Sequence, residues 1–170
     1  MNNRIASMNF AIVGCGRIAQ RHAKHIRRVG NLVAVCDVVA ERASNLADEY
    51  NATAYTEFEN MLQNAQEADL VSICTPNGLH AQQTVRAVRA GYHVLCEKPM
   101  ALSVADCGRM ITEAEKANRR LFVVKQNRFN PPVAAMKKVV EEGHLGRICS
   151  IQLNCFWNRH QQYYQNSGWR

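Results

Sequence analysis

Two glycines near the start of the chain stand where they could bring a phosphate group close to the backbone. They belong to Gly14-Cys15-Gly16-Arg17-Ile18-Ala19, which follows a short apolar run and opens a helical pattern. Gly14 permits a tight turn, Gly16 lets a pyrophosphate approach the backbone, and the small Ala19 lets the helix pack closely on the strand. The first helical N–H groups, at Arg17 and Ile18, also favour phosphate. We expect dinucleotide binding; the alternative is a tight connection without a ligand.

An acidic residue, Asp37, ends the next apolar run. A carboxylate at that position can accept hydrogen bonds from both hydroxyls of an adenosine ribose, and it would repel a 2′-phosphate. Val38, Val39 and Ala40 follow it, and Arg42 lies one turn into the next helical pattern. The sequence therefore favours NAD over NADP. The alternative is that Asp37 only caps the following helix.

Polar side chains follow two later apolar runs, where parallel strands present ligand sites at their carboxyl ends. Thr75-Pro76-Asn77-Gly78-Leu79-His80 follows residues 70–74, and Glu97-Lys98-Pro99 follows residues 92–96. The ammonium group of Lys98 could hydrogen-bond a substrate hydroxyl and share its proton. The alternative, equally open on these residues alone, is a surface lysine paired with Glu97.

Four motifs can be read together. They are Gly14-Cys15-Gly16, Cys74-Thr75-Pro76-Asn77 with His80, Cys96-Glu97-Lys98-Pro99, and Gln126-Asn127-Arg128-Phe129. In order and spacing they resemble the glucose–fructose oxidoreductase, inositol dehydrogenase and rhizopine-catabolism family. The resemblance covers almost the whole chain, and its most specific part is the Glu-Lys-Pro element.

The resemblance implies an NAD-dependent dehydrogenase that acts on a sugar hydroxyl. Lys98 would be catalytic and would contact the reacting hydroxyl and the nicotinamide ribose, and Asn127 and Arg128 would lie near the substrate. Asp37 would bind the adenosine ribose. The expected cofactor-binding residues are Gly14, Gly16, Arg17, Ile18, Asp37, Thr75, Asn77, His80, Glu97, Lys98 and Gln126, with Thr75, Asn77 and His80 forming a wall of the cleft.

A second, shorter resemblance concerns the end of the chain. Trp157-Asn158-Arg159, Tyr163-Tyr164 and Ser167-Gly168-Trp169-Arg170 resemble the family branch that oxidises the 3-hydroxyl of UDP-N-acetylglucosaminuronic acid. The family also places a histidine in a glycine-rich stretch of its second domain, which these residues do not reach. We therefore expect the 170 residues alone to be incomplete for catalysis.

The elements that must position these residues alternate between short apolar runs and helical patterns. Such alternation predicts a parallel sheet covered by helices on both faces. The resemblance implies that these elements form an α/β, doubly wound Rossmann domain over residues 1–127. Gly30 and Gly91 are expected to end two helices in a left-handed conformation. The predicted strands are 10–13, 32–36, 52–55, 70–74, 92–96 and 121–125, and the predicted helices are 17–29, 39–50, 57–65, 79–90 and 103–118.

Residues 128–170 are expected to begin a second α/β domain. Pro131-Pro132 opens a helix that should run to about Glu142 before Gly143 stops it. Residues 148–157 alternate apolar and polar side chains, which predicts a strand of an antiparallel sheet. With no partner strand after it, this strand would be an exposed edge through which the chain associates.

Composition narrows the class of protein further. Apolar residues make up 47% of the chain, which is enough for a core, and no run is long enough for a membrane helix or a signal peptide. The net charge of +7 invites a nucleic-acid interpretation, but Arg17, Arg21, Lys24 and Arg28 recur at helical spacing and are explained by a solvated helix face, so we expect no nucleic-acid partner. We expect a cytoplasmic protein, and homo-oligomers formed through the sheet of the second domain.

The seven cysteines include no Cys-x-x-Cys pair, and we expect free thiols. Cys15, Cys36, Cys74 and Cys96 follow or end predicted strands and could be read as metal ligands, but small apolar fillers are the preferred interpretation. His22 and His25 are expected to serve helix packing and surface. No metal is expected. The competing function is a non-catalytic NAD-binding sensor or assembly module, and within the family an inositol or simple-sugar dehydrogenase remains open.

Overall fold

The computed structural model describes residues 7–158 and 160–162. Six parallel strands form one sheet in the order β3-β2-β1-β4-β5-β6, which places β1 and β4 side by side at its centre. The strands are β1 (Met8–Val13), β2 (Gly30–Cys36), β3 (Thr53–Tyr55), β4 (Leu70–Ile73), β5 (His93–Cys96) and β6 (Leu121–Val123). The expected doubly wound Rossmann fold is confirmed, and no observed strand is shifted by more than two residues at either end.

Five helices connect these strands, and each lies within one predicted helical pattern. They are α1 (Arg17–Ile26), α2 (Ala40–Tyr50), α3 (Phe58–Asn64), α4 (His80–Arg89) and α5 (Val104–Lys116). The chain winds outward from β1 in one direction and from β4 in the other. The carboxyl ends of β1 and β4 therefore lie at the topological switch point, the place where sheets of this kind bind ligands. None of the helices among the described residues is both long and apolar enough to cross a bilayer.

The core has two halves because alternate side chains of each strand point to opposite faces of the sheet. Ala11 and Val13 of β1 belong to the half that also holds Met110 of α5, whereas Ile12 packs in the half that holds Leu46 of α2. Full burial of one such aliphatic side chain contributes roughly 1.5–3 kcal/mol. Both faces of the sheet are therefore fixed by apolar burial, which leaves the strand ends for polar groups.

The two glycines expected to end helices behave differently. Gly91 has φ +97°, the left-handed conformation expected of it. For Gly30 the expectation is wrong: α1 already ends at Ile26, and Gly30 is the first residue of β2. A Cβ on Gly30 would lie 2.1 Å from the carbonyl oxygen of Met8. Close contact between β1 and β2, and not a helix end, is what requires glycine there.

A second compact unit begins at Lys125. It contains a 3₁₀ turn at Gln126–Phe129 and the helix α6 (Pro131–Glu141), which opens on the two prolines as predicted. Gly143 follows with φ +72°. The full extent of this second domain stays a prediction.

The predicted strand at 148–157 is wrong. Residues 148–157 form no strand in the structure, and Ile151 and Phe156 are 82% and 91% exposed. Alternating side chains can mark a strand only where a neighbouring strand supplies the ladder of hydrogen bonds, and the described residues offer none here. Arg159 and residues 163–170, which carry most of the shorter resemblance, lie outside the described residues.

Candidate active site at the carboxyl ends of the strands

Strand register brings the polar motifs into one row. Val13 pairs with Cys36 on one side and with Ile73 on the other, and Ile73 pairs with Cys96. The residue that follows each of these positions therefore lies at the same level of the sheet edge, with neighbouring strands about 4.8 Å apart. The row consists of Asp37, Gly14, Cys74 and Glu97, in that spatial order.

The glycine loop has the shape that a pyrophosphate needs. Gly14 has φ +85°, and a Cβ there would lie 2.8 Å from the backbone of Cys74 and Thr75, so this position must be glycine for the loop to close. Gly16 has an ordinary extended backbone, and a Cβ there would meet nothing within 4 Å. The first turn of α1 contains no acidic residue. The open space beside Gly16 and the helix N-terminus behind it therefore fit a bound diphosphate.

Asp37 is 92% removed from solvent, and both of its carboxylate oxygens are engaged. Oδ2 accepts the N–H of Cys15 at 2.8 Å, and Oδ1 accepts the N–H of Val39 at 2.9 Å. Each oxygen keeps a further lone pair for a ligand hydroxyl. Val39 is itself the N-cap residue of α2, so Asp37 does not cap that helix in the usual way. Its carboxylate orients the glycine loop through the N–H of Cys15 and keeps lone pairs free.

The three residues predicted to form a wall of the cleft differ in burial. Thr75 and Asn77 are half-buried, and Asn77 begins a 3₁₀ turn that leads into α4. His80 is completely buried, with Nδ1 2.8 Å from the carbonyl oxygen of Pro99 and Nε2 2.9 Å from that of Thr75. His80 therefore links the segment of Thr75 to that of Lys98 from a fully buried position, and a role of these three residues as the wall of a cofactor cleft stays a prediction.

Lys98 is exposed and lies directly after the row, on a segment whose Lys98-Pro99 peptide bond is cis. The neighbouring Glu97 is buried, and its Oε2 accepts the backbone N–H of Lys98 at 3.1 Å. The other oxygen, Oε1, lies 2.9 Å from Nε2 of His22. The Glu97 carboxylate thus holds the Lys98 backbone and a histidine, which differs from the simple surface pair that the sequence left open.

Sequence reasoning missed the partner of Glu97. His22, expected only to pack or face solvent, lies between Glu97 and Ser72, with its Nδ1 2.8 Å from Ser72 Oγ. A serine, a histidine and a glutamate can form a hydrolase triad, but Ser72 is 0% exposed, so its hydroxyl cannot reach a substrate. The available signal was Ser72 itself: a polar residue in a strand covered on both faces requires a partner.

Burial and hydrogen bonding set the pKa values around the row in opposite directions. Burial by itself would raise the pKa of Glu97, but hydrogen bonds from His22 and from the Lys98 N–H, with the charges of both residues, lower it below its ordinary value. Burial and the Asp37 charge raise the pKa of the Cys15 thiol to about 12, and burial raises that of Cys74 to about 12. These thiols are neutral fillers. The described residues contain no group of three or more metal-ligating side chains.

Gln126, Asn127 and Arg128 lie on the 3₁₀ turn that begins the second unit, and all three are exposed. The structure therefore brings together the first-unit residues, from Gly14 to Lys98, at one sheet edge. The contribution of these three residues to a cofactor or substrate site stays a prediction.

Comparison with known proteins gives consistent relatives. The profile of an oxidoreductase family with an NAD-binding Rossmann fold matches residues 8–125. D-glucoside 3-dehydrogenase of Escherichia coli is 36% identical over 145 residues, covering 83% of this chain and 41% of that protein. Inositol 2-dehydrogenase of Salmonella typhimurium is 32% identical over 150 residues, covering 83% and 44%.

A solved structure, the WlbA dehydrogenase of Chromobacterium violaceum in complex with NADH and UDP-GlcNAcA, matches with a TM-score of 0.92 and 38% identity. The match covers 100% of this chain and 49% of that one. The chain thus spans about half the length of the relatives it matches. On the family profile and these identities, the chain belongs to the glucose–fructose oxidoreductase, inositol dehydrogenase and MocA family of oxidoreductases and carries its NAD-binding Rossmann domain.

Proposed function

We propose that the complete protein is an NAD-dependent dehydrogenase that oxidises a hydroxyl of a sugar or nucleotide sugar, with Lys98 as the residue that handles the hydroxyl proton. The observation that carries this proposal is the placement of Lys98. It is an exposed cation that directly follows the row of strand-end residues, and its backbone is held by a buried carboxylate. A protein that only senses a dinucleotide has no need of such a lysine.

The arrangement of the glycine loop and Asp37 supports NAD binding. The N–H groups of Arg17 and Ile18, in the first turn of α1, would face a diphosphate beside Gly16, and Asp37 would accept hydrogen bonds from the ribose hydroxyls. Thr75 and Asn77 would line the nicotinamide side of the cleft. Bound NAD supplies the hydride acceptor, while the protein supplies binding, geometry and electrostatics.

Lys98 would act at the substrate hydroxyl. Its Nζ would hold the hydroxyl oxygen and, as an amine, take up the proton as the carbon gives up a hydride, so that one hydroxyl becomes one carbonyl. Glu97, Gln126, Asn127 and Arg128 would complete the cofactor and substrate contacts. Asp37 also favours NAD over NADP because its buried carboxylate would repel a 2′-phosphate.

Among substrates, a UDP-linked sugar acid receives the most support. The WlbA dehydrogenase, solved with UDP-GlcNAcA, is similar over the whole chain, whereas the inositol and D-glucoside dehydrogenases are similar over a smaller share of it. An inositol or a simple glucoside is the second candidate, because those relatives each match 83% of this chain at 32–36% identity.

Two further properties belong to the proposal. All seven cysteines are free thiols in the structure, which supports a reducing compartment such as the cytoplasm. The family resemblance supports homo-oligomers formed through the second domain of the complete protein.

The test is a substrate panel with the complete gene product. NADH absorbance is followed with UDP-N-acetylglucosaminuronic acid, myo-inositol, scyllo-inositol and a D-glucoside, each with NAD and with NADP. We expect turnover with NAD and the nucleotide sugar. Turnover of an inositol or glucoside alone would keep the dehydrogenase and remove the nucleotide sugar. NAD binding with no turnover of any hydroxyl substrate would favour a non-catalytic module.

A further inference from the structure

His22 stands between the helix that begins at the glycine loop and the segment that carries Lys98. It lies on the inner side of α1, and its side chain is only 11% exposed. Nδ1 is 2.8 Å from Ser72 Oγ on β4, and Nε2 is 2.9 Å from Glu97 Oε1 after β5. One side chain therefore connects α1 to β4 and to the segment that follows its neighbour, β5.

The hydrogen-bond chemistry assigns Nε2 as a donor. An ionised carboxylate only accepts hydrogen bonds, so the proton between His22 and Glu97 is on Nε2. Ser72 can either donate its hydroxyl proton to Nδ1 or accept one from it, so both the neutral and the charged imidazole keep two contacts. The link to Glu97 is thus independent of which charge state His22 has.

Glu97 passes this link on to the lysine. Its side chain is also only 11% exposed, and its second oxygen, Oε2, accepts the backbone N–H of Lys98 at 3.1 Å. A carboxylate that is held at one oxygen by His22 has little freedom to rotate, so the second oxygen fixes where the Lys98 backbone begins. On the far side of Lys98, the carbonyl of Pro99 is held by His80 at 2.8 Å.

We propose that His22 is a positioning residue for Lys98: through Glu97 it fixes the lysine relative to α1, and hence relative to the dinucleotide that α1 would hold. The inference rests on the proposed function, because it requires Lys98 to act on the substrate. The competing explanation is that His22 only fills a polar gap between helix and sheet. Under that explanation its loss lowers stability without affecting hydride transfer in particular.

Two substitutions separate these explanations because each keeps a different contact. In His22→Gln the amide nitrogen reaches the position of Nε2 and can still donate to Glu97. In His22→Asn the shorter amide reaches the position of Nδ1, so it can serve Ser72 but not Glu97. Both variants are polar and helix-compatible, so loss of packing is similar in the two.

The experiment measures single-turnover NADH formation, NADH affinity and thermal stability in the complete gene product, with the best substrate from the panel. We expect H22Q to remain near the wild-type rate and H22N to slow roughly 10²-fold, as a misplaced catalytic group does. NADH affinity should change much less in both. Equal rates for the two variants, whether both normal or both slow, would overturn the inference.

A double variant tests whether His22 acts through Lys98. If it does, adding H22N to Lys98→Met should slow the reaction little further, since the group that His22 positions is already gone. Independent, multiplying losses would overturn the inference. If H22N does not fold, His22→Leu, which also loses the Glu97 contact, takes its place. A Lys98→Met variant with the wild-type rate would instead refute the proposed function, and a slow H22N beside it would refute both.

Discussion

The backbone N–H of Cys15 donates to Oδ2 of Asp37 at 2.8 Å, so the glycine loop after β1 and the acidic end of β2 are held together as one unit. The same carboxylate accepts the N–H of Val39 through Oδ1. Asp37 therefore shapes the loop that would bind a diphosphate, and under the proposed function it would also present a negative charge to a ribose. Loss of its carboxylate should therefore disturb the glycine loop and weaken the binding of a ribose.

The first prediction concerns Asp37→Ala and cofactor choice. The 170-residue chain should bind NAD more tightly than NADP, and the variant should narrow this preference, because the charge that repels a 2′-phosphate is removed. NAD affinity should also fall roughly tenfold or more, since a hydrogen bond to a charged group is worth about 1.5–3 kcal/mol. Calorimetry gives both constants. Asp48→Ala, on the exposed side of α2, is the control. Equal or tighter NADP binding by the unmutated chain would refute the preference.

The second prediction contrasts two alanine substitutions in the glycine loop. Gly16→Ala should change the free energy of unfolding by less than about 1 kcal/mol. A Cβ there meets open space, and the entropic gain from alanine is opposed by its poorer fit at the N-cap of α1. The NADH affinity of this variant should fall by about 5- to 150-fold, because the added methyl group costs about 1–3 kcal/mol where the diphosphate would lie. Thermal melts and NADH fluorescence titration measure the two effects.

Gly14→Ala should mainly lower stability, whereas Gly16→Ala should mainly lower NADH affinity. A Cβ on Gly14 would lie 2.8 Å from the backbone of Cys74 and Thr75, and φ there is +85°. The variant should unfold at a lower temperature even without a cofactor, because the strain should cost about 1–3 kcal/mol of the free energy of unfolding. If G14A melted like the wild type, or if G16A bound NADH like the wild type, this description of the loop would be wrong.

Much of the fold was predictable because its signals are local. Gly14, Gly16 and Asp37 sit at fixed offsets within one strand–turn–helix–strand unit, and continuous apolar runs mark strands covered on both faces. Register then follows, since neighbouring parallel strands that share a buried core must align their ends. For this reason Lys98 could be placed at the correct sheet edge from sequence.

The errors and omissions have non-local causes. The contact of His22 with Glu97 joins residues 75 positions apart, and that with Ser72 joins residues 50 apart, so no short-range pattern contains either. Gly30 was misread because its constraint comes from the carbonyl of Met8 on a neighbouring strand. The predicted strand at 148–157 is a different kind of error. Its alternation of apolar and polar side chains is a local pattern, whereas a strand also needs a hydrogen-bonded partner strand, which a local pattern does not reveal.

The third prediction concerns the buried thiols at alkaline pH. Burial raises the pKa of Cys96 from 9.0 to about 12. Because the unfolded thiol ionises near pH 9 and the folded one does not, the folded state holds more protons between these values. The free energy of unfolding should therefore fall as pH rises from about 9 toward 12.

Urea unfolding at several pH values between 8 and 11 would test this. Cys96→Ala should be less stable than the wild type at pH 8 but should lose less stability as pH rises. Cys149→Ala, at an exposed position, should follow the wild-type slope. If the Cys96→Ala slope equalled the wild-type slope, the buried thiol would not be a source of alkaline sensitivity.

We propose that Lys98 handles the hydroxyl proton during hydride transfer. The most direct test is single-turnover NADH formation by Lys98→Met in the complete gene product. Methionine keeps much of the side-chain length and removes the proton-sharing group, so the rate should fall roughly 10²–10⁴-fold while NADH affinity stays close to the wild-type value. Lys116→Met, at an exposed lysine of α5, is the matched control and should react like the wild type. A Lys98→Met enzyme that oxidises its best substrate at the wild-type rate would contradict the claim.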